Sequence, residues 1–191
     1  MVHNFNSQCG EDKWLYDEGL LPDVGFYIDL GSANGTINSN TKVLDDMGWK
    51  GICVEPNPEY LPTYLDRTCK LIKYAVSNTD GHIYFDCNGE AGKIATLQSK
   101  DSGNVIVVAS TTLETIVREA GIKQIDLLSV DLEGSEYLVL KPYFMTDLPK
   151  PKIIITEYCT FGKQDHSVLD MLIKIGYTLQ LTTQFNYVLT I

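Results

Sequence analysis

Short apolar runs that stop at glycine, proline or an acidic residue recur along the chain, each with the length of one buried strand. The first, residues 26–30, ends at the small residues 31–35, and residues 41–47 then carry apolar side chains at helical spacing up to Gly48. Further strands are predicted at 51–55, 71–76, 125–130 and 152–156, with helices over 58–66, 111–121 and 167–175. Strands and helices that alternate through short connections predict a parallel sheet covered by helices.

The stretch 80–110 interrupts this alternation. Residues 82–86 and 105–109 are rich in strand-forming side chains and are separated by polar, glycine-containing segments, which predicts an antiparallel insertion. Thr111 and Glu114 have the spacing of a capping box, which begins the next helix. Residues 177–182 and 185–190 predict a closing hairpin. Without repeats or linkers, the chain is predicted to be one domain over 1–191, and excision of that domain from a longer polypeptide remains an alternative.

Composition narrows the range of partners. The 191 residues are 44% hydrophobic and 21% charged, as in globular proteins. The formal net charge of −10 opposes nucleic acid binding, so a small molecule or a glycan is the expected partner. Five scattered cysteines without metal-type spacing indicate reduced thiols. No apolar run reaches the ~18 residues that span a bilayer, and the N-terminus is too polar for a signal peptide, so we expect a cytoplasmic protein with no membrane partner. The pattern carries no indication of an oligomeric state.

The residues that end the predicted strands carry the candidate chemistry, because ligands of open α/β sheets bind beyond the carboxyl ends of the strands. Asp29, Gly31, Glu55, Asp131 and Glu157 share that edge. Small residues between Gly31 and Gly35 allow a ligand to approach the backbone, and Glu55, about twenty residues later, is placed to accept both hydroxyls of a ribose. The combination predicts an adenosine-type site.

Two adenosine cofactors fit this architecture. A dinucleotide requires a longer glycine spacing, and here the third glycine comes one residue early, which favours a ligand without pyrophosphate. Tyr137 and Lys141 match the Tyr-x-x-x-Lys pattern of short-chain dehydrogenases, but Pro142 disfavours helix at Lys141. We therefore predict S-adenosylmethionine, whose sulfonium the nearby carboxylates tolerate.

Several segments, taken together and in order, resemble the FkbM-type methyltransferase family. They span most of the chain, and the combination of the glycine turn with the acidic block after residue 130 is the most specific part. The segments are 7–12, 29–35, 39–41, 48–51, 54–57, 74–77, 112–114 and 125–136.

The resemblance implies a Rossmann-like class I methyltransferase fold: a seven-stranded, mostly parallel sheet with an antiparallel last strand and helices on both faces. It implies O-methylation of a hydroxyl on a sugar, a glycan or another small metabolite. It places the methionine tail of the cofactor on the glycine turn, the ribose on Glu55 and the adenine near Ala75 and Val76. The cofactor-binding residues expected in this way are Gln8, Asp29, Gly31, Ser32, Ala33, Gly35, Ser39, Glu55, Pro56, Ala75, Val76 and Asp131.

Three residues are candidates for catalysis. Asp131, at the end of the fourth strand, is the first candidate for accepting the hydroxyl proton or orienting the acceptor, and Glu133 follows it closely. His166, in a polar loop after the fifth strand, is an alternative base or a structural residue. A further alternative is a Mg²⁺ or Mn²⁺ ion held by Asp131 and Glu157, against two carboxylates that simply end their strands in solvent.

Two other functions remain open at the level of sequence. One is an NAD-dependent oxidoreductase, disfavoured by the glycine spacing. The other is a catalytically silent module that keeps the adenosine pocket, which only a turnover assay separates from an enzyme.

Overall fold

A computed structural model describes residues 3–95 and 104–191 of the chain. Seven strands form the central sheet: β1 (Phe26–Leu30), β2 (Lys50–Val54), β3 (Lys70–Ile72), β8 (Leu127–Val130), β9 (Ile153–Glu157), β12 (Thr178–Thr182) and β13 (Asn186–Thr190). The helices are α1 (Glu11–Asp17), α2 (Lys42–Asp46), α3 (Leu113–Glu119), α4 (Glu136–Phe144) and α5 (Ser167–Lys174). Strands β10 (Cys159–Thr160) and β11 (Lys163–Gln164) form a separate antiparallel pair.

The central sheet has the order β3-β2-β1-β8-β9-β13-β12. The first five strands of this order are parallel, and β13 runs antiparallel to both β9 and β12. The order reverses beside β1, so a crevice forms beyond the carboxyl ends of β1 and β8, where open sheets bind ligands. The predicted seven-stranded sheet with its antiparallel last strand is confirmed.

Successive residues of a strand point to opposite faces of the sheet. Helices cover both faces, so each face packs in a core of its own. Ile28 and Leu30 of β1 pack in one core with the apolar side chains of α3, α4 and α5. Tyr27, on the other face, packs in a second core with α1 and α2. No helix in the described ranges 3–95 and 104–191 combines the length and apolar character needed to cross a bilayer.

A second sheet holds the predicted insertion, in the order β4-β7-β5-β6. Its strands are β4 (Ala75–Val76), β5 (Gly81–Asp86), β6 (Lys93–Ile94) and β7 (Val105–Thr111). β5 is antiparallel to β6 and β7, as predicted, while β4 joins in parallel beside β7. The part of the predicted insertion at 96–103 lies outside the described residues.

Two predicted elements differ in the structure. The strand predicted over 71–76 is divided, because the exposed residues Lys73 and Tyr74 separate β3 in the central sheet from β4 in the second sheet. The helix predicted over 58–66 is a 3-10 helix at Leu61–Asp66 with Pro62 at its start. The proline ring fixes φ but provides no N–H, which favours a short, tight helix here.

The predicted capping box is displaced by one residue. Thr111 belongs to β7 and pairs with Val76, so Thr112 caps α3 instead, accepting a hydrogen bond from the backbone N–H of Thr115. Glu114 forms an ion pair with Arg118 rather than closing the box. The prediction that a threonine caps this helix is confirmed, but the position predicted for that threonine is wrong.

Pro142 lies inside α4 and does not end it. Lys141 is therefore helical despite the proline that follows it, and its ammonium lies 5.3 Å from the centre of the Tyr137 ring. α4 is short, and Pro142 occupies its seventh residue, so only one backbone N–H of the helix is lost. This Tyr-Lys pair is a helical neighbour pair, as the spacing of four residues dictates.

Candidate active site

The glycine turn after β1 is held tightly against its neighbours. The N–H groups of Gly31 and Ser32 both donate to the carbonyl of Val54 at the end of β2. Gly31 has φ +76°, and a Cβ at this position would stand 1.8 Å from the carbonyl oxygen of Asp131. No side chain therefore fits between the turn and the end of β8, and this close backbone contact forms the floor of the crevice.

Glu55 lies beside this turn with only 5% of its surface exposed. Its Oε2 accepts a hydrogen bond from the N–H of Ala33 at 2.9 Å, and its Oε1 accepts one from the N–H of Asn57 at 2.7 Å. Burial raises the pKa of Glu55 to about 7, against the lowering effect of the two backbone donors. The two backbone donors therefore fix the orientation of the carboxylate, and its binding of a ribose stays a prediction.

A first cavity begins at Glu55 and runs under the second sheet. The predicted residues Gly31, Ala33, Pro56, Ala75 and Val76 line it, together with Asp131. It is narrow, about 30 Å³, so we expect its walls to separate when a nucleoside enters. Sequence reasoning missed the residues that the second sheet and the 3-10 segment contribute to its wall, Tyr60, Phe85 and Lys93.

A second cavity of about 250 Å³ lies on the other side of the glycine turn and shares Gly31, Ala33 and Asp131 with the first. Predicted residues that line it are Gln8, Asp29, Ser32, Ser39, Glu133 and Glu157. Eleven of the twelve expected cofactor-binding residues therefore line one of these two cavities. The exception is Gly35, where a Cβ would meet the Tyr64 ring at 2.8 Å, so this glycine serves packing beneath the turn.

Gln8 reaches the second cavity from the N-terminal segment. This segment is fixed by the fully buried Glu11, whose Oε1 accepts hydrogen bonds from Thr183 Oγ1 and Asn186 Nδ2 at the β12–β13 end. Ser7 forms a parallel bridge with Asn38. A segment far from the glycine turn in sequence is therefore part of the site, as the family resemblance implied.

Three carboxylates converge where β8 and β9 end. Oxygen atoms of Asp131, Glu136 and Glu157 all lie within 4.8 Å of one another. Desolvation by the surrounding protein atoms and the negative charges of Glu157, Glu136 and Asp29 raise the pKa of the Asp131 carboxyl well above its usual range. Burial and neighbouring acids raise the pKa of Glu157 to about 7. Like charges this close favour retention of a proton within the cluster.

Glu133 stands at the mouth of this cluster in a strained backbone conformation, φ +53°. Burial and the charges of Asp131 and Glu136 raise its pKa to about 7, against the opposing effect of Lys93. Strained residues persist where the surrounding structure holds them, frequently at functional sites. The pKa values of Glu133 and Glu157 therefore both lie near neutral pH.

His166 is the one predicted catalytic residue that lines neither cavity. It is exposed, precedes α5, and its Nδ1 lies 2.7 Å from the hydroxyl of Tyr187. Its ring stacks on Tyr158, which in turn stacks on Tyr187 at 4.1 Å. These contacts give His166 a role in packing, and its catalytic role stays a prediction.

The raised pKa values predict a pH-dependent stability. A carboxyl that binds its proton more tightly when folded than when unfolded stabilises the fold at low pH, and this contribution is lost as pH rises through the folded pKa. For Glu133 and Glu157 the window runs from about 4.5 to about 7. We expect a higher thermal midpoint at pH 5.5 than at pH 8, and a smaller difference in a Glu133→Gln, Glu157→Gln variant. An unchanged difference in that variant would contradict the assignment.

Comparisons with known proteins bear on the family and the fold of the chain. Residues 23–179 match the family model described as the methyltransferase FkbM domain. No curated protein matches the chain. The precorrin-6y C5,15-methyltransferase of Geobacter metallireducens GS-15 is similar in fold, with TM-score 0.50 and 12% identity over 94% of this chain and 85% of that one. The C-terminal domain of precorrin-6Y C5,15-methyltransferase from Rhodobacter capsulatus has TM-score 0.41 and 9% identity over 87% and 78%.

The family match covers the glycine turn, Glu55, the second sheet and the carboxylate cluster. The predicted single domain over 1–191 stays a prediction. The chain belongs to the FkbM methyltransferase family, and its activity is S-adenosylmethionine-dependent methyl transfer.

Proposed function

We propose that the protein methylates a hydroxyl group of a sugar, a glycan or another small metabolite. The observation that carries the proposal is a third cavity of about 360 Å³, which adjoins the second cavity at Glu133, Glu157 and Phe161. An ionised carboxylate accepts hydrogen bonds, so Glu133 and Glu157 at this junction are suited to bind the hydroxyl groups of an acceptor. Tyr137, Tyr158 and Phe161 add aromatic surface to the third cavity, suited to the apolar face of a ring.

The donor side is proposed to bind in the order that the cavities support. The adenine would lie in the first cavity at Ala75 and Val76, and the ribose would bind Glu55. The amino acid end would lie in the second cavity beside Asp29 and Ser39. When bound, S-adenosylmethionine supplies an electrophilic methyl group.

The residues of the chain then have two tasks. The walls of the second and third cavities align the acceptor oxygen with the methyl carbon and limit access of water. As the new carbon–oxygen bond forms and the sulfur–carbon bond breaks, the hydroxyl proton passes to a carboxylate, giving a methyl ether and S-adenosylhomocysteine. Asp131 is the first candidate for this base or for orienting the acceptor, with Glu133 and Glu157 beside it near neutral pKa.

The experiment has a binding part and a turnover part. Calorimetry is expected to show binding of S-adenosylhomocysteine and no comparable binding of NAD. A panel of mono- and oligosaccharides is then incubated with methyl-labelled donor, and we expect label in a methyl ether. If the protein binds S-adenosylhomocysteine but methylates a hydroxyl metabolite other than a sugar, the proposal is restricted to that class of acceptor. Binding without any turnover would support a silent module instead.

A divalent cation is a second possibility for activating the hydroxyl, favoured by the convergence of Asp131, Glu136 and Glu157. Glu136 is already engaged, since its Oε1 accepts hydrogen bonds from the N–H groups of Leu132 and Gly134. Asp131 and Glu157 are therefore the proposed ligands of Mg²⁺ or Mn²⁺. Unchanged turnover after chelation would eliminate the cation, and restoration by added metal would support it.

Charge and thiol chemistry support the remaining parts of the proposal. The net charge of −10 opposes a nucleic acid substrate, so a small molecule or glycan is the proposed acceptor. All five cysteines are free thiols, and we propose that the protein acts in the reducing cytoplasm.

A further inference from the structure

Arg67 is a buried cation directly beneath the glycine turn. Its side chain is fully buried after the 3-10 helix, and its Nε lies 2.6 Å from the Oδ2 of Asp45, which is also buried. Replacing such an ion pair with apolar side chains frequently stabilises a protein, so a buried pair alone is weak evidence of a stabilising role. Its remaining hydrogen bonds show what else this pair does.

The Arg67 guanidinium donates hydrogen bonds to groups that line or support the proposed donor site. Nη1 donates to the carbonyl of Gly35, at the end of the glycine turn, and lies 3.4 Å from Ser39 Oγ. Nη2 donates to Thr41 Oγ1 at 3.0 Å. The Thr41 hydroxyl in turn donates to Asp29 Oδ2 at 2.6 Å. Asp29 and Ser39 line the second cavity, whereas Arg67 and Thr41 do not.

This geometry needs a planar, multidentate donor. Arg67 binds Asp45, the turn carbonyl and the hydroxyls of Ser39, Thr41 and Tyr27 through separate N–H groups. A lysine ammonium on a flexible stem does not reproduce this set of contacts. The positive charge of Arg67 also opposes the effect of the Asp45 charge on Asp29. Burial raises the pKa of Asp29, while Arg67 and the Thr41 hydrogen bond act in the opposite direction.

We propose that Arg67, acting through Thr41 and Ser39, is a positioning residue that holds Asp29 and Ser39 in the orientation that binds the amino acid end of the methyl donor. Arg67 itself does not contact the donor. The proposal rests on the donor binding in the second cavity and is independent of the identity of the acceptor.

Two probes separate this role from a general structural one. S-Adenosylhomocysteine carries the amino acid end, and 5′-methylthioadenosine lacks it but keeps the adenine and ribose. Thr41→Val removes the hydroxyl bridge at nearly constant volume and leaves the buried ion pair of Arg67 and Asp45 intact. We expect its affinity for S-adenosylhomocysteine to fall about tenfold, the effect of losing one hydrogen bond to a charged group. Its affinity for 5′-methylthioadenosine is expected to stay within about twofold.

Thr41→Ser keeps the hydroxyl and is expected to restore S-adenosylhomocysteine binding. Arg67→Lys is expected to show the same selective loss as Thr41→Val. Leu172→Ala, on the buried face of α5 and away from the cavities, is the control for lowered stability and is expected to bind both probes normally once folded. Folding of each variant is checked by circular dichroism and thermal midpoint.

Equal losses for the two probes in Thr41→Val, or no loss for either, would overturn the positioning role, as would failure of Thr41→Ser to restore binding. If Arg67→Lys does not fold, the Thr41 pair still decides the question. Absence of binding in the unaltered protein would instead refute the donor assignment on which the proposal rests.

Discussion

Replacing Gly31 with alanine is expected to abolish binding of S-adenosylhomocysteine and to lower the thermal midpoint by about 10 °C. The new Cβ would stand 1.8 Å from the Asp131 carbonyl, so either the turn or the end of β8 must move. The φ of +76° adds the strain of a left-handed backbone for a residue with a side chain. Together these effects are worth about 3 kcal/mol, and the displaced turn would no longer support Asp29, Ala33 and Asp131 in one crevice.

Gly19→Ala is the matched control. Gly19 also has a left-handed backbone, φ +67°, but its Cβ would meet no atom within 4 Å. It follows α1, away from both cavities. Its replacement therefore costs only the backbone strain, about 1 kcal/mol, and is expected to leave donor binding intact. A Gly31→Ala protein that binds S-adenosylhomocysteine like the control would show that the close approach of turn and strand is not needed for the site.

The central sheet was predictable because each of its strands is a short apolar run bounded by a clear stop. The run at 125–130 is buried on both faces, and Asp131 ends it, which is the pattern of an inner parallel strand. Likewise, Gly31 and Glu55 mark the proposed donor site through backbone freedom and spacing alone. These features are local in sequence, so they can be recognised without knowledge of the tertiary fold.

The elements that sequence misplaced depend on which sheet a segment joins. Residues 71–76 read as one strand by composition, yet β3 pairs with β2 whereas β4 pairs with β7. Thr111 was assigned to the helix cap, but pairing with Val76 keeps it in the second sheet. Propensity cannot distinguish these outcomes, because strand partners far apart in sequence decide them.

The parts of the site that sequence missed come from the same cause. Tyr60, Phe85 and Lys93 line the first cavity because the second sheet folds over it, and none carries a motif. Arg67 has no signal at all in sequence: a single arginine after a 3-10 segment reads as a surface charge. Only the fold brings it beneath the glycine turn, where its burial and its partners support the proposed positioning role.

Glu55→Gln is expected to weaken binding of S-adenosylhomocysteine and of 5′-methylthioadenosine equally, by about 100-fold each. Both probes contain the ribose, whose two hydroxyls are proposed to bind this carboxylate. The amide also disturbs the turn, because Oε1 and Oε2 each accept a backbone N–H and glutamine offers only one acceptor oxygen. One of the N–H groups of Ala33 and Asn57 would face an NH₂ group. The equal loss distinguishes the ribose contact from the selective loss expected for Thr41→Val.

Glu59→Gln is the control for removing one negative charge near the site. Glu59 is exposed four residues further on, so the same chemical change there is expected to leave both affinities within about twofold. Isothermal titration at pH 8, above the raised pKa of Glu55, keeps the carboxylate ionised in the unaltered protein. If Glu55→Gln bound either probe as tightly as Glu59→Gln does, the ribose would have to bind elsewhere, and the order of adenine, ribose and tail along the two cavities would be wrong.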